Sequence, residues 1–307
     1  MKLTISTYEF LKKFPDDIAA RKYLELHRWK GNAVCPHCAC VERIQTRKLD
    51  GYYRCLNCVT DFTVRTGTIF ERSHVPLDKW LYAIYLLTTS RKGVSSLQLS
   101  KEIGVTQKTA WFMLQRLREA CGNGTDDELL AGIVEADETY IGGKEANKHE
   151  SKKLKAGRGA VGKVAVLGMR ERGGHVKASV IANTTADTIQ AILSNTVANE
   201  AMLCTDDHRS YIGVPNTHLV VNHSAKQFVD GMAHTNGIES VWALLKRGFY
   251  GVYHQFSEKH LQRYVDEFTY RLNEGNCKVH TLDRIDALLH KTNGVRLTYA
   301  NLIGATV

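Results

Sequence analysis

Four cysteines stand in two matched pairs. Cys35-Pro-His-Cys38 is followed, after sixteen residues, by Cys55-Leu-Asn-Cys58. Each pair forms a tight knuckle that presents two thiolates to one point, and four soft sulfur ligands suit a tetrahedral Zn2+. No coordination position stays open, so such an ion is structural and holds together a segment too small to build its own core. A redox pair is the competing reading. His37 and Cys40 join as ligands only by breaking the paired spacing, and read as bystanders. Between the pairs, residues 41–44 and 51–55 read as short strands around the hairpin signal Asp50-Gly51, and residues 61–64 extend the β character.

Carboxylates form the second set. Residues 132–143 alternate, with Val134 and Ala136 on one face and Glu135, Asp137 and Thr139 on the other. Taken alone, the polar face of a strand is a solvated one. Residues 163–169 and 175–182 read as further strands split by Gly173-Gly174, and a helix over 186–197 leads into an apolar run ending in Asp206 and Asp207. Such a run reads as a buried strand that delivers a carboxylate to its C-terminal tip. Residues 218–222 read as one more strand. Residues 234–248 read as a helix closed by Gly248, with Glu239 near its start and Lys246 two turns later on the same face. Two strand aspartates and a helix glutamate are the arrangement with which an RNase H-like sheet holds two Mg2+ ions. Hard cations take oxygen ligands, and two of them about 3.5–4 Å apart clamp the attacking and leaving oxygens of a phosphoryl transfer. Lys246 would then hold a DNA phosphate while Glu239 holds metal.

The elements that must position these groups fall into zones. Residues 76–125 read as helical, with Trp80, Ile84 and Leu87 on one face. A helix, a Gly104 turn, a capping Thr106 and a second helix then make a helix-turn-helix pattern. The second helix points Gln107, Lys108 and Thr109 outward, where recognition helices meet DNA, and turns Trp111, Leu114 and Leu117 to the core. A packing-only connector is the alternative. Residues 121–127 are the best linker candidate. The Lys/Gly-rich stretch 142–162 reads as a solvated surface insertion, with Lys144, Lys148, Lys152, Lys153, Lys155 and Arg158 as alternative phosphate contacts. His223, His234, His254 and His260 read as structural, with DNA contacts or metal binding as the competing role, and His234-Thr235-Asn236 most simply caps the glutamate helix. Ser257 reads as the cap of a last long helix whose core face is Leu261, Tyr264, Val265, Phe268 and Leu272. Trp242 reads as core, with base stacking as the competing role, and Lys246-Arg247 as the phosphate contact.

Composition narrows the class. A chain of 307 residues with 43% hydrophobic and 24% charged residues is neither disordered nor fibrous, and exceeds one ordinary domain. The balance of 41 Lys+Arg against 32 Asp+Glu leaves +9, which favours an anionic partner, nucleic acid first. The longest apolar run, residues 80–87, is far shorter than the ~20 residues of a membrane helix. The first residues lack the apolar region of a signal peptide. A soluble cytoplasmic protein with no membrane partner is the expectation, its eight cysteines reduced.

Taken together, the Cys-Pro-His-Cys ribbon, Asp137-Glu-Thr-Tyr-Ile-Gly-Gly-Lys144, Thr205-Asp206-Asp-His-Arg-Ser-Tyr211 and residues 234–248 and 253–273 resemble the ISXO2-like transposases of the IS1595 family, a branch of the DDE transposases. The resemblance runs from about residue 20 to residue 275. It implies an α+β multidomain fold: an N-terminal helix and zinc ribbon over 1–75, a helix-turn-helix-like region over 76–125, an RNase H-like α/β catalytic domain with a mixed sheet over 128–285, and a C-terminal tail over 286–307. It implies Asp137, Asp206 and Glu239 as catalytic acids holding Mg2+ or Mn2+, with Lys246 as the downstream lysine. Asp206 is chosen over Asp207 because the family motif reads Thr-Asp. Structural Zn2+ falls to Cys35, Cys38, Cys55 and Cys58. The implied partner is double-stranded DNA, both terminal inverted repeats and target, met by Gln107, Lys108, Thr109, Lys246 and Arg247 in a homo-oligomeric complex. The implied activity is strand cleavage at the ends of an insertion sequence, followed by attack of the freed 3′-OH on target DNA. A non-catalytic zinc-ribbon and helix-turn-helix regulator with a degenerate nuclease fold is the alternative, and the complete acid set argues against it.

Overall fold

Caps written into the sequence set where the first helices begin. Helix α1 (Thr7–Lys13) opens on a capping box in which the Ser6 hydroxyl accepts the Glu9 N–H and the Glu9 carboxylate accepts the Ser6 N–H. Helix α2 (Asp17–Trp29) is capped by Asp16 and stops where Lys30 turns left-handed at φ 51°. The computed structural model describes residues 3–124, 128–143, 149–153, 160–221 and 234–304. The chain divides into two compact units, Met1–Asn123 with Glu274–Val307, and Gly124–Asn273.

In the first unit, β1 (Ile44–Thr46), β2 (Tyr53–Cys55) and β3 (Asp61–Phe62) form an antiparallel sheet in that order. β1 starts later than the expected residue 41, because the first knuckle runs on to Cys40, whose carbonyl accepts the Cys35 N–H. Trp29 meets Tyr53 and Phe62 edge-on at 5.2 and 5.9 Å between ring centroids, giving the small sheet apolar cover it cannot build alone. Helix α3 (Leu77–Thr89) is apolar nearly all round and is buried nearly all round, as such a helix must be. Helix α4 (Ser96–Ile103), Gly104 at φ 63° and helix α5 (Gln107–Gly122) give the helix-turn-helix pattern, with Thr106 capping α5.

The second unit is a mixed sheet covered on both faces. β4 (Ile133–Ile141), β5 (Val164–Glu171) and β6 (Val176–Ile181) are an antiparallel meander. Helix α6 (Ala186–Thr196) crosses over to β7 (Met202–Asp206), which runs parallel to β4, and β8 (Thr217–Val221) runs parallel to β7. The order is β6-β5-β4-β7-β8. Helices α7 (Asn236–Gly248) and α8 (Leu261–Glu274) follow. Alternation sorts the side chains: Val134, Ala136, Leu167, Met169 and Leu203 pack with Ile189 and Leu193 of α6. Ile141 and Val166 pack on the other face with Ile238, Trp242 and Leu245 of α7 and Val265 and Phe268 of α8. This is the RNase H-like mixed sheet that the sequence implies.

Two helix ends differ from the expectation. Gly248 does not close α7; it stays right-handed at φ −64°, and the backbone runs through a π turn at Phe249–Tyr253 to His254 at φ 59°. The extra turn buries Phe249 against Phe256, centroids 4.8 Å apart. Ser257 makes no side-chain cap; it precedes a short 3-10 turn, and α8 begins at Leu261.

Helices α9 (Thr281–Lys291) and α10 (Tyr299–Ile303) belong to the first unit, where α9 packs on α3 and α5. The division at 273/274 differs from the expected 285/286, which would cut α9 in two. Buried Arg116 of α5 helps explain why: its guanidinium donates to the carbonyls of Ile69, Glu71 and Leu297, tying the last segment to residues far back in sequence. Among the described residues, no helix is long and apolar enough to cross a membrane.

Candidate active site and metal centre

The four paired cysteines converge. Cys35, Cys38, Cys55 and Cys58 bring their sulfurs within 4.8 Å of one another, with Cys35–Cys58 and Cys38–Cys55 at 3.6 Å. Sulfurs on a tetrahedral zinc with ~2.3 Å bonds lie about 3.8 Å apart, so the cluster suits that ion. The two knuckles repeat one another. Ala39 and Val59 both turn left-handed, at φ 57° and 58°, and the Cys35 and Cys55 N–H groups bond the carbonyls of Cys40 and Thr60. Cys40 therefore closes a knuckle with its backbone, and neither its thiol nor His37 is in the cluster. Burial pushes the Cys35 thiol up to about 11, while the Thr60 hydroxyl, 2.8 Å from the Cys58 sulfur, pulls that thiol down to about 6.

The carboxylates gather in the second unit. Asp137 lies mid-way along β4, and Asp206 is the last residue of β7. Glu135 and Cys204 are partners in the parallel register. Two residues further along each strand, Asp137 and Asp206 therefore share the sheet face that α7 covers. The Trp242 indole N–H donates to Asp137 Oδ2 at 3.0 Å, and the His208 N–H to Asp206 Oδ1 at 3.1 Å. Burial first, then the charges of Glu138 and Asp206, push Asp137 up to about 7. Glu138 points to the other face, beside Tyr211, and burial raises it as well. Glu239 is exposed in the first turn of α7, accepting the Thr235 hydroxyl at 3.1 Å. Thr235 thus serves Glu239 rather than capping the helix with its side chain. Among the described residues only the cysteines form a cluster of three or more ligands within 4.8 Å, so the three acids do not close to that span. Two oxygen-donor carboxylates on one face of neighbouring strands, beneath a helix carrying a third, are a donor set that fits a hard divalent cation.

Comparison with known proteins then places the chain. Residues 129–273 match the ISXO2-like transposase domain model of the IS1595 group, and residues 15–61 match the transposase zinc-ribbon domain. A protein of the transposable element ISH50 in Halobacterium salinarum, itself uncharacterized, is 30% identical over 252 residues, covering 77% of this chain and 84% of that one. The chain belongs to the ISXO2-like transposase family. Among solved structures, a simian T-cell lymphotropic virus intasome bound to PP2A regulatory subunit B56 gamma aligns at 14% identity, covering 62% of this chain and 65% of that one, with TM-score 0.29. A pre-cleavage Mos1 transpososome aligns at 13% identity, covering 64% and 73%, with TM-score 0.27. Likeness at that level carries no argument here.

Within this transposase the remaining sequence candidates are placed as follows. Gln107 and Lys108 are exposed at the start of α5, with the Lys108 ammonium 4.8 Å from the centre of the Tyr299 ring. Thr109 is half-buried, its hydroxyl 2.9 Å from that of Thr106 at the exposed cap. Trp111 is half-buried, while Leu114 and Leu117 are core. Lys246 and Arg247 are exposed on α7, and Arg247 Nε donates to the Ala243 carbonyl at 3.1 Å. Lys144, Lys148, Lys155, Arg158 and His223, and the side chain of Lys152, lie outside the described residues.

Several residues at the site carry more than their local sequence pattern suggests. Glu135 is 1% exposed. Its carboxylate accepts Arg172 Nε at 2.7 Å and the Ile238 N–H at 2.9 Å, with His234 Nδ1 3.3 Å away. It therefore docks the start of α7 on β4, where the helix dipole favours an anion. Arg170 adds a bond to the Gly237 carbonyl at 2.7 Å. Gly168, the cross-strand partner of Asp137, leaves room for the Trp242 ring; a Cβ there would meet Cη2 at 2.4 Å. A glycine inside the apolar run 164–169 signals close approach of another group. Nothing in the alternation of β4 tells a buried carboxylate from a solvated one.

Proposed function

We propose that this transposase binds the ends of its insertion sequence and carries out Mg2+-dependent DNA strand cleavage and strand transfer, with Asp137, Asp206 and Glu239 holding the metal. The observation that carries the reading is the pair Asp137 and Asp206 on one face of neighbouring strands, under the helix that bears Glu239. Divalent ions bound there, Mg2+ or Mn2+, would supply Lewis-acid polarisation of the phosphoryl group and a lowered pKa for the attacking hydroxyl. The chain's own residues hold the phosphodiester. Lys246 and Arg247, exposed on α7, are suited to its non-bridging oxygens. In the first step water attacks phosphorus and the 3′-oxygen leaves as a hydroxyl. In the second, that 3′-hydroxyl attacks a target phosphodiester and displaces a target 3′-oxygen. No covalent protein–DNA link is formed.

Recognition of the terminal repeats is assigned to the zinc-ribbon and helix-turn-helix unit, with Gln107, Lys108 and Thr109 at the DNA and zinc on the four cysteines as the structural ion. Double-stranded DNA is the partner, and a homo-oligomer brings two ends together. The test is incubation of the full chain with labelled end duplex, with and without Mg2+. Retained end binding, with Mg2+-dependent nicks and joined products, supports the reading. Specific binding with no strand breakage under any divalent cation would favour the regulator instead.

A further inference from the structure

The indole of Trp242 occupies a slot that the sheet was left open to receive. On one side Gly168 has no side chain, and an added Cβ would fall 2.4 Å from Cη2 and 2.5 Å from Cζ2 of the ring. Ile238, one turn earlier on α7, would crowd the same point at 3.0 Å. The ring is 4% exposed, so packing leaves it one position. From that position its N–H reaches Asp137 Oδ2 at 3.0 Å. Phenylalanine would fill only part of that slot and bring no donor; the indole both fills it and supplies the N–H. Trp242 also stands three residues after Glu239, so the helical turn that carries the third acid carries this donor beside it.

We infer that Trp242 is the positioning residue of the metal site: its N–H holds the Asp137 carboxylate in one orientation and ties α7, with Glu239, to β4. This rests on the reading of Asp137 as a metal ligand. Ligating carboxylates are themselves hydrogen-bonded, and removing such an outer partner weakens metal binding by about 10–100-fold.

The experiment measures binding of Mn2+ alone to the zinc-loaded full chain, by titration of the free-ion electron paramagnetic signal, alongside thermal melts. Four proteins are compared: wild type, Asp137→Asn, Trp242→Phe, and the chain with 3-benzothienylalanine at position 242. The last keeps the bicyclic shape and puts sulfur where the N–H was. Wild type should bind Mn2+, Asp137→Asn should lose it, and both position-242 variants should bind at least tenfold more weakly. The benzothienyl variant should melt within 2–3 °C of wild type, roughly as expected for a filled slot. Wild-type affinity in both position-242 variants, with Asp137→Asn still defective, would overturn the inference and leave the metal site standing. A benzothienyl variant that binds normally while Trp242→Phe melts early would make Trp242 a packing residue and overturn it as well. If wild type and Asp137→Asn bind Mn2+ alike, the reading of Asp137 itself fails.

Discussion

Glu135→Ala removes a carboxylate that accepts from Arg172 and from the first turn of α7 while being almost sealed from solvent. Breaking a buried ion pair from one side costs about 3–5 kcal/mol. The Arg172 side chain is 22% exposed and also donates to the His234 carbonyl at 2.8 Å, so its charge is not wholly stranded. That places the loss at the lower bound, about 3 kcal/mol. For a cooperative unit of roughly 150–250 residues, 1 kcal/mol lowers Tm by about 2–4 °C, so the unfolding transition should fall by roughly 6–12 °C. Glu135→Gln keeps an acceptor for the Ile238 N–H and loses only the charge, and should cost about half as much. Calorimetry of the full chain gives both numbers, and hydrogen exchange at the Ile238 amide reports whether the start of α7 opens. The reasoning is refuted if Glu135→Ala melts within 2 °C of wild type, or if the Ile238 amide stays as protected as before.

Gly168→Ala drives a methyl group into the Trp242 ring, and overpacking of this kind costs about 1–3 kcal/mol; urea unfolding with an unchanged midpoint would show that the slot has slack. Cys55→Ser should drop bound zinc well below one per chain by metal analysis while Cys40→Ser keeps it, and equal loss in both would reassign the ligands. Asp137 gives a pH dependence. Its folded-state pKa is raised from 3.8 to about 7, so its contribution to stability is full below about pH 4 and is lost as pH rises through 7. Asparagine does not ionise and escapes that loss. Without divalent metal, the stability advantage of Asp137→Asn should widen between pH 5 and pH 8, by about 2–3 kcal/mol at most. A gap that stays constant with pH would mean Asp137 titrates normally.

What the sequence reveals follows from range. Knuckle spacing, capping residues and two-residue alternation are local, and they place the cysteine cluster, the strands near 163–169, 175–182 and 201–207, and the helix of Glu239 within a few residues of where they lie. The burial of Glu135 is not local. It depends on α7, a hundred residues on, folding over the polar face of β4, and a strand written polar on one side reads as solvated until its cover is known. Trp242 is apolar at core spacing, which hides that its one polar atom has a task. Arg116 hides the other way: a charged residue in a helix reads as exposed, yet its Nε and Nη1 donate to carbonyls of three distant residues, and this helps bring α9 and α10 into the first unit. Gly248 does not stop its helix, because a glycine near a helix end is a good stop signal only when the next side chain has nothing to bury, and Phe249 is buried.

We propose that Asp206, and not its neighbour, is the second metal carboxylate. Asp206 ends β7 on the face shared with Asp137, while Asp207 lies just beyond the strand and is exposed. The direct measurement is Mg2+-dependent cleavage of a labelled terminal-repeat duplex by Asp206→Asn and Asp207→Asn side by side, with end binding followed by gel shift. Asp206→Asn should lose cleavage by orders of magnitude while still binding the ends, and Asp207→Asn should stay close to wild type. Equal loss in the two variants, or wild-type cleavage by Asp206→Asn, would contradict that assignment.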